Sequence, residues 1–213
     1  MALPPFYGPA RESTQPPSVP QRAAPALRGA DSSTPSTGGG KLPGGDCPDA
    51  QQLLDLANQY RSWHQAPPLQ WSTGLATAAQ AYAEVLAGES FSLRHGAAGE
   101  CLMREISYPM PGSSCSGAIT SWYLEYKYYN FNAMDLFREN WARSTGHFTQ
   151  LVWRSSNAIG CGVAVSPQSI VFPGGRAMQG GCRIVVCHFF PAGNVASSGS
   201  FQSNVLPRSS GTR

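Results

Sequence analysis

The sequence predicts an α+β layered domain in which helices flank a small antiparallel sheet. Three observations predict it. Apolar residues recur at three- and four-residue spacing over the first part of the domain. Runs rich in β-branched residues and bounded by glycines replace that pattern near the end. Residues 1–46 carry neither pattern. They hold nine of the 18 prolines and seven glycines, with Phe6 and Tyr7 as their only aromatics. Such a segment cannot bury enough apolar area to offset its ordering entropy, so it reads as a disordered linker or stalk.

The domain is expected over 47–206, with 207–213 a flexible tail. Asp46 or Asp49 can cap a first helix, and Pro48 suits its first turn. Leu53, Leu56, Ala57, Tyr60 and Trp63 form its apolar stripe, and Pro67-Pro68 ends it. Ser72 or Thr73 caps a second helix carrying Leu75, Ala78, Ala79, Tyr82, Val85 and Leu86, which Gly88 stops. Leu102 to Ser107 reads as a short strand. Ser116 to Tyr129 reads as a third helix with Ile119, Trp122, Tyr123 and Tyr126 inward, and Trp122 simply as core. Ser144 or Thr145 can cap a short fourth helix containing His147. Ala158 to Val165 and Arg183 to Phe190 are strands. Gly174, Gly175, Gly180 and Gly181 between them suggest an antiparallel hairpin with a long loop.

Charge narrows the function classes. Between Cys47 and Leu206 nine basic residues balance nine acidic ones, so the net charge of +3 comes from the ends. A neutral domain lacks the clustered basic face of a nucleic-acid binder, and no zinc-finger spacing or phosphate loop occurs. No apolar run approaches the ~20 residues of a membrane helix. Met1-Ala2-Leu3-Pro4-Pro5 has neither the basic nor the apolar region of a leader, and Ala2 excludes N-myristoylation of this start. The six cysteines, at 47, 101, 115, 161, 182 and 187, all lie in the domain and form no CxxC pair. An even, scattered set points to disulfides and an oxidising, extracellular setting.

Four residues stand out as a candidate site: His95, Glu100, Glu125 and His147. His95 and Glu100 share one loop, Glu125 sits among aromatics of the third helix, and His147 sits in an apolar run. If they converge, each carboxylate can accept from a ring N–H and fix the tautomer of the other nitrogen. Two imidazoles presented together suit zinc, completed by water or a carboxylate. The alternative is a structural hydrogen-bond network. Tyr128 and Tyr129 are candidates for the rim of a binding groove.

Gly146-His147-Phe148-Thr149-Gln150-Leu151-Val152-Trp153 resembles the signature Gly-His-[Phe/Tyr]-Thr-Gln-x-Val-Trp of the CAP superfamily, which groups cysteine-rich secretory proteins, antigen 5 and plant pathogenesis-related class-one proteins. Val186 to Asn194, ending Pro191-Ala192-Gly193-Asn194, resembles its second signature. Asn58-Gln59-Tyr60-Arg61 resembles its Asn-x-x-Arg, and Gly99-Glu100-Cys101-Leu102 its Gly-Glu-Asn-aliphatic run. Ser121 to Phe131 and Phe189 to Leu206 look closest to the Golgi-associated members. The resemblance, over about residues 50 to 206, implies the α-β-α sandwich and a cleft lined by His95, Glu100, Glu125 and His147, with His95 and His147 as zinc ligands. It also implies secretion, lipid or sterol binding at a membrane surface, and a defence role, as in some members. It implies a Cys161–Cys187 disulfide. Cys101–Cys115 and Cys47–Cys182 are the expected bonds of the other four cysteines. Three positions depart from the family pattern: Ala57 stands for a histidine, Cys101 for an asparagine after the glutamate, and His188 for an asparagine-like residue of the second signature.

The reading is thus a secreted, non-enzymatic lipid- or sterol-binding or defence module with a zinc-capable cleft; homodimerisation is left open. A metal-dependent hydrolase with Glu100 or Glu125 as general base is the alternative, although two protein ligands are one fewer than catalytic zinc commonly has. A Ser–His–acid triad lacks any Gly-x-Ser-x-Gly turn. A structural extracellular-matrix domain is the third reading.

Overall fold

The computed structural model describes residues 40–209, so the expected disorder of 1–39 falls outside the described residues. Order begins before Cys47: Lys41 pairs with Asp46, Leu42 packs on the core, and Gln51 N donates to Gly40 O. Order also extends past Leu206, where Ser209 N donates to Trp63 O and the Arg208 guanidinium lies 4.5 Å from the Trp63 ring centroid.

The chain runs α1 (Ala50–Trp63), β1 (Gln70–Trp71), α2 (Thr73–Gly88), β2 (Glu100–Ser107), α3 (Ser116–Leu124) continued by a 3-10 turn (Glu125–Tyr128), α4 (Leu136–Trp141), α5 (Gly146–Leu151), β3 (Ala158–Val171), β4 (Ala177–Phe190) and α6 (Ser198–Asn204). The strands form one sheet in the order β1-β3-β4-β2, antiparallel except for the β1–β3 pair. On one face α2 covers the sheet through Ala79, Ala83 and Leu86 against Leu102, Cys182, Ile184 and Val186. On the other, Leu53 and Ala57 of α1, Ile119 and Trp122 of α3, and Phe148 and Leu151 of α5 pack over Cys101, Cys161, Val163, Val185 and Cys187. This is the predicted α-β-α sandwich.

Two glycines let α2 lie flat on the sheet. A Cβ at Gly160 would fall on the Ala76 backbone nitrogen, and one at Gly162 on the Gln80 backbone. Gln80 then bridges to β3, accepting from Val163 N (2.9 Å) and donating to Val163 O (3.0 Å).

Several local expectations are corrected. The hairpin has long strands and a short turn: Phe172 N bonds Arg176 O, and Gly174 and Gly175 take positive φ, while Gly180 and Gly181 belong to β4. Pro167 sits within β3 because β1 pairs only with Ala158 and Ile159, which leaves that edge of β3 open at Pro167. The third helix tightens at Glu125 rather than running on to Tyr129. Asp49 does not cap its own helix; its carboxylate accepts from Ser114 Oγ, Cys115 N and Ser116 N at the start of α3. Burial raises the Asp49 pKa, but those bonds outweigh it and lower it. Ser72, not Thr73, caps α2. Helices α4 and α6 and strand β1 were not anticipated; Asp135 and Ser197 are the capping residues of the two helices.

The disulfides are Cys161–Cys187 and Cys47–Cys115, with Cys101 and Cys182 buried and free. Cys161–Cys187 is the expected pair. The expected Cys101–Cys115 and Cys47–Cys182 bonds do not form, because Cys47 and Cys115 meet where α1 packs on α3, while Cys182 faces α2 across the sheet.

Candidate functional site

Glu100 opens β2 directly opposite His188 of β4. Its side chain is wholly buried, and three donors converge on it. Oε1 lies 3.0 Å from both His95 Nδ1 and Gly96 N, and Oε2 lies 3.1 Å from His188 Nε2. Burial raises the carboxyl pKa, but donation from His188, His95 and Gly96 outweighs it and brings it to about 2. Glu100 is therefore ionised and accepts only, so His95 donates from Nδ1 and His188 from Nε2. The lone pairs left are His95 Nε2 and His188 Nδ1. Two glycines hold this loop in place. At Gly96 a Cβ would strike the Tyr82 ring, whose hydroxyl donates to Arg94 O; at Gly99, with φ +72°, a Cβ would press on Phe189 O and Ala192.

The second pair forms across the α3–α5 contact. Glu125 Oε1 lies 2.7 Å from His147 Nδ1, and Oε2 accepts from His147 N (3.0 Å) and Phe148 N (3.1 Å). Glu125 thereby caps α5, the role expected of Ser144 or Thr145; Thr145 Oγ1 instead donates to Asn140 O, and Ser144 has a positive φ. A carboxylate at a helix start meets both free amides and the positive end of the peptide dipoles. The His147 ring stacks on Trp122 at 5.8 Å and 15°, and Trp122 Nε1 donates to Leu102 O, which ties α3 to both α5 and β2. With Nδ1 engaged, His147 offers Nε2.

The structure thus places the four candidate residues in two pairs, His95–Glu100 and His147–Glu125. Cys101, buried on the core side of the sheet, lies within the influence of both carboxylates. Each carboxylate hydrogen-bonds through both oxygens and orients an imidazole; the Glu100 side chain is buried, and that of Glu125 is partly exposed. Among the described residues no three His, Cys, Asp or Glu side chains stand together as a metal site.

His188 was not anticipated as the third partner of Glu100. It is a departure from the expected signature, and only the strand register reveals its role. His64 was also missed: it is fully buried, with Nδ1 2.7 Å from Leu206 O and Nε2 3.2 Å from Tyr123 Oη. The sequence signatures are largely clasps. Thr149 Oγ1 donates to Asn194 Oδ1 (2.6 Å), Asn194 Nδ2 donates to Gly146 O, and Gly193 N donates to Gln150 Oε1, so the two signatures hold each other. Asn58 binds both backbone groups of Leu69, and Arg61 binds four carbonyls.

A separate open groove of about 520 Å³ is lined by Lys127, Tyr128, Tyr129, Asn130 and Arg143. Tyr128 is exposed; Tyr129 also lines the groove, with its ring packed against Phe131 and Phe148.

An α-β-α sandwich whose two histidines are each oriented by a glutamate, over mutually clasped Gly-His-Phe-Thr-Gln and Pro-x-Gly-Asn segments, defines a CAP-type domain. The family model described as "CAP: Cysteine-rich secretory protein family" matches residues 54–189, and the chain belongs to that family. It is 34% identical over 161 residues to human "Golgi-associated plant pathogenesis-related protein 1", covering 73% of this chain and 91% of that protein. It is 32% identical over 154 residues to "Pathogenesis-related protein 1" of Arabidopsis thaliana, covering 70% and 81%. Of two longer relatives, from Candida albicans and Mus musculus, the chain spans 56% and 30% of the length. Among solved structures, that of BmVAL-1 superposes with a TM-score of 0.55 at 24% identity, covering 74% of this chain and 84% of that one, a likeness of fold.

Proposed function

We propose that this chain is a non-enzymatic binding module of the secretory route or the extracellular space, and that it takes an amphipathic lipid with an anionic head group. The observation that carries this reading is the groove between the 3-10 turn and the segment after α4. Lys127 and Arg143 supply two cations there, Tyr128 supplies an exposed aromatic surface, and no carboxylate lines it. A charged, open rim suits a head group better than a sterol ring system. The two disulfides fit an oxidising compartment. A defence role rests on family likeness alone.

The test is co-sedimentation with vesicles of phosphatidylcholine, with and without phosphatidylserine. Binding should require the anionic lipid and weaken with salt. Each surface cation is worth about 1 kcal/mol near such a membrane, so Lys127→Ala with Arg143→Ala should cost on the order of 30-fold. His147→Ala should leave binding unchanged, since it lies outside the groove. Equal binding by the double variant would end the proposal.

The His–Glu cleft supports zinc as a secondary ligand of the same module. Each Nδ1 is committed to a carboxylate, which leaves Nε2 of His95 and His147 as the nitrogens that would hold the ion. When bound, the ion would supply a polarising charge. Calorimetric titration of zinc should show binding that a His95→Ala, His147→Ala double variant loses. The hydrolase alternative is disfavoured by the ligand count, since His95 and His147 are one protein ligand fewer than catalytic zinc commonly has.

A further inference from the structure

Three cysteines stand side by side across the sheet. In the antiparallel register Cys101 of β2 faces Cys187 of β4, and Cys187 faces Cys161 of β3 on its other side. Directly opposed residues point to the same face, and all three side chains lie in the core layer beneath α1, α3 and α5. Cys187 is bonded to Cys161; Cys101 is a free thiol with 1% of its surface exposed.

The phase of the ladder fixes the second spacing. Phe189 N donates to Gly99 O, so 99 and 189 are a hydrogen-bonded pair. Two residues further along, Cys101 and Cys187 are again a hydrogen-bonded pair, whose Cα atoms stand about 5.5 Å apart. That separation is within the ordinary disulfide range of about 4.4–6.8 Å. Cys187 therefore has a bonding neighbour on each side and can hold only one. Cys182 has no part in the row, because its side chain faces α2.

We propose that Cys101 is a reserve partner for Cys187, and that the disulfide migrates along this row by intramolecular exchange. The Cys101 thiol loses its proton to solvent, and its thiolate attacks Cys187 Sγ. The Cys101–Cys187 bond forms as the Cys161–Cys187 bond breaks. Cys161 leaves as a thiolate and takes up a proton. One disulfide and one thiol exist before and after, so no oxidant or reductant is consumed.

Burial and the charges of Glu125 and Glu100 raise the Cys101 pKa well above the ordinary thiol range. The resting row therefore keeps Cys101 protonated, and exchange waits for local opening of β2 or for alkaline pH. The two linkages tie different strands together. The resting bond joins the two hairpin strands; the alternative joins β2 to β4 one residue from the Glu100–His188 contact. Migration would thus fasten the strand end that carries the orienting carboxylate of His95. The inference is independent of the lipid groove.

The test uses the full chain, purified without reductant and equilibrated at pH 8 with a trace of reduced glutathione. The sample is then quenched in acid, alkylated and peptide-mapped. The expected map contains a Cys101–Cys187 peptide with Cys161 alkylated, beside the resting species, with Cys47–Cys115 intact. Finding Cys187 only on Cys161 overturns the proposal. A Cys161→Ser variant treated with oxidised glutathione should close Cys101–Cys187. Cys101 and Cys187 both alkylated or glutathione-capped in that variant, with Cys47–Cys115 intact and an unchanged circular dichroism spectrum, overturn it too. So does closure in the variant without any in the wild type.

Discussion

Replacing Arg61 tests the structural account most directly. Arg61 is completely buried and has no carboxylate partner. Its guanidinium donates instead to four backbone carbonyls: Nε to Pro67 O (2.8 Å), Nη1 to Leu151 O (2.8 Å) and Trp153 O (2.9 Å), and Nη2 to Ser156 O (2.7 Å). These carbonyls lie in two chain segments, one after α1 and one after α5, so a single side chain joins both connections to the sheet. Burial brings its pKa down to about 10, which leaves it charged at neutral pH. Hydrogen bonds to a charged group contribute about 1.5–3 kcal/mol each, and an orphaned buried acceptor costs about 1–3 kcal/mol. Trp153 O keeps one donor, Ser156 N, so its share falls at the low end. Desolvation of the guanidinium offsets part of the gross gain. Arg61→Ala leaves the carbonyls without it and adds a cavity, so its cost should reach about 4 kcal/mol, against a total stability of about 5–15 kcal/mol for a domain of this kind.

Arg61→Lys separates charge from geometry. An ammonium is a point donor and cannot span carbonyls in two segments as a planar fork does, so it should lose about half as much. Equilibrium urea unfolding followed by tryptophan fluorescence and by circular dichroism gives both numbers. If Arg61→Ala fails to fold, the lysine variant still carries the comparison. A lysine variant as stable as the parent, or an alanine variant within about 1 kcal/mol of it, would mean that water satisfies these carbonyls and that the clasp is not structural.

Other outcomes follow from the same contacts. Glu100 has a folded-state pKa of about 2 against 4.5 for an unperturbed group. Its depressed pKa contributes stability that is fully present above pH 4.5 and is lost as pH falls towards 2. The ceiling is about 3 kcal/mol, and Glu100→Gln should flatten that limb of a plot of urea midpoint against pH. An unchanged slope would place the acid sensitivity elsewhere. The Cys47–Cys115 bond spans 68 residues and Cys161–Cys187 spans 26. Chain entropy then gives about 4.4 and 3.5 kcal/mol, and paired alanine replacements should keep that order in thermal unfolding. Gly160→Ala should fail to fold or lose several kcal/mol, because the methyl meets α2 backbone; a neutral result would show that the helix can lift away from β3.

How much of this was legible depended on whether a feature is local. The stripe Leu53, Ala57 and Arg61's neighbour Tyr60 announced α1 because helical periodicity is written in consecutive residues. The hairpin was announced by Ala158 to Val165 and Arg183 to Phe190, although its strands proved longer, since Ser166 to Val171 carry a proline and polar residues on an edge that needs fewer partners. The four candidate residues paired as histidine with glutamate. What stayed hidden was non-local. Asp49 and Glu125 each cap a helix far along the chain, and a carboxylate's use at a distant N-terminus has no local signature. The cysteine partners depended on which helix packs on which.

The departures from the family pattern carry the same lesson further. Cys101 and His188 stand in different segments and look unrelated as text. Register makes them neighbours: Glu100 faces His188, and the next pair along is Cys101 facing Cys187. One substitution gives the buried carboxylate a second imidazole donor. The other sets a thiol beside an existing disulfide, where burial and the charges of Glu125 and Glu100 raise its pKa. In the family's pattern these places are held by amide side chains, which neither titrate nor exchange. Here an imidazole and a thiol stand there instead, on adjacent rows whose side chains leave opposite faces of the sheet. This chain therefore departs from that pattern where β2 meets β4, while the segment that carries His147, paired with Glu125 and stacked on Trp122, follows the family's signature.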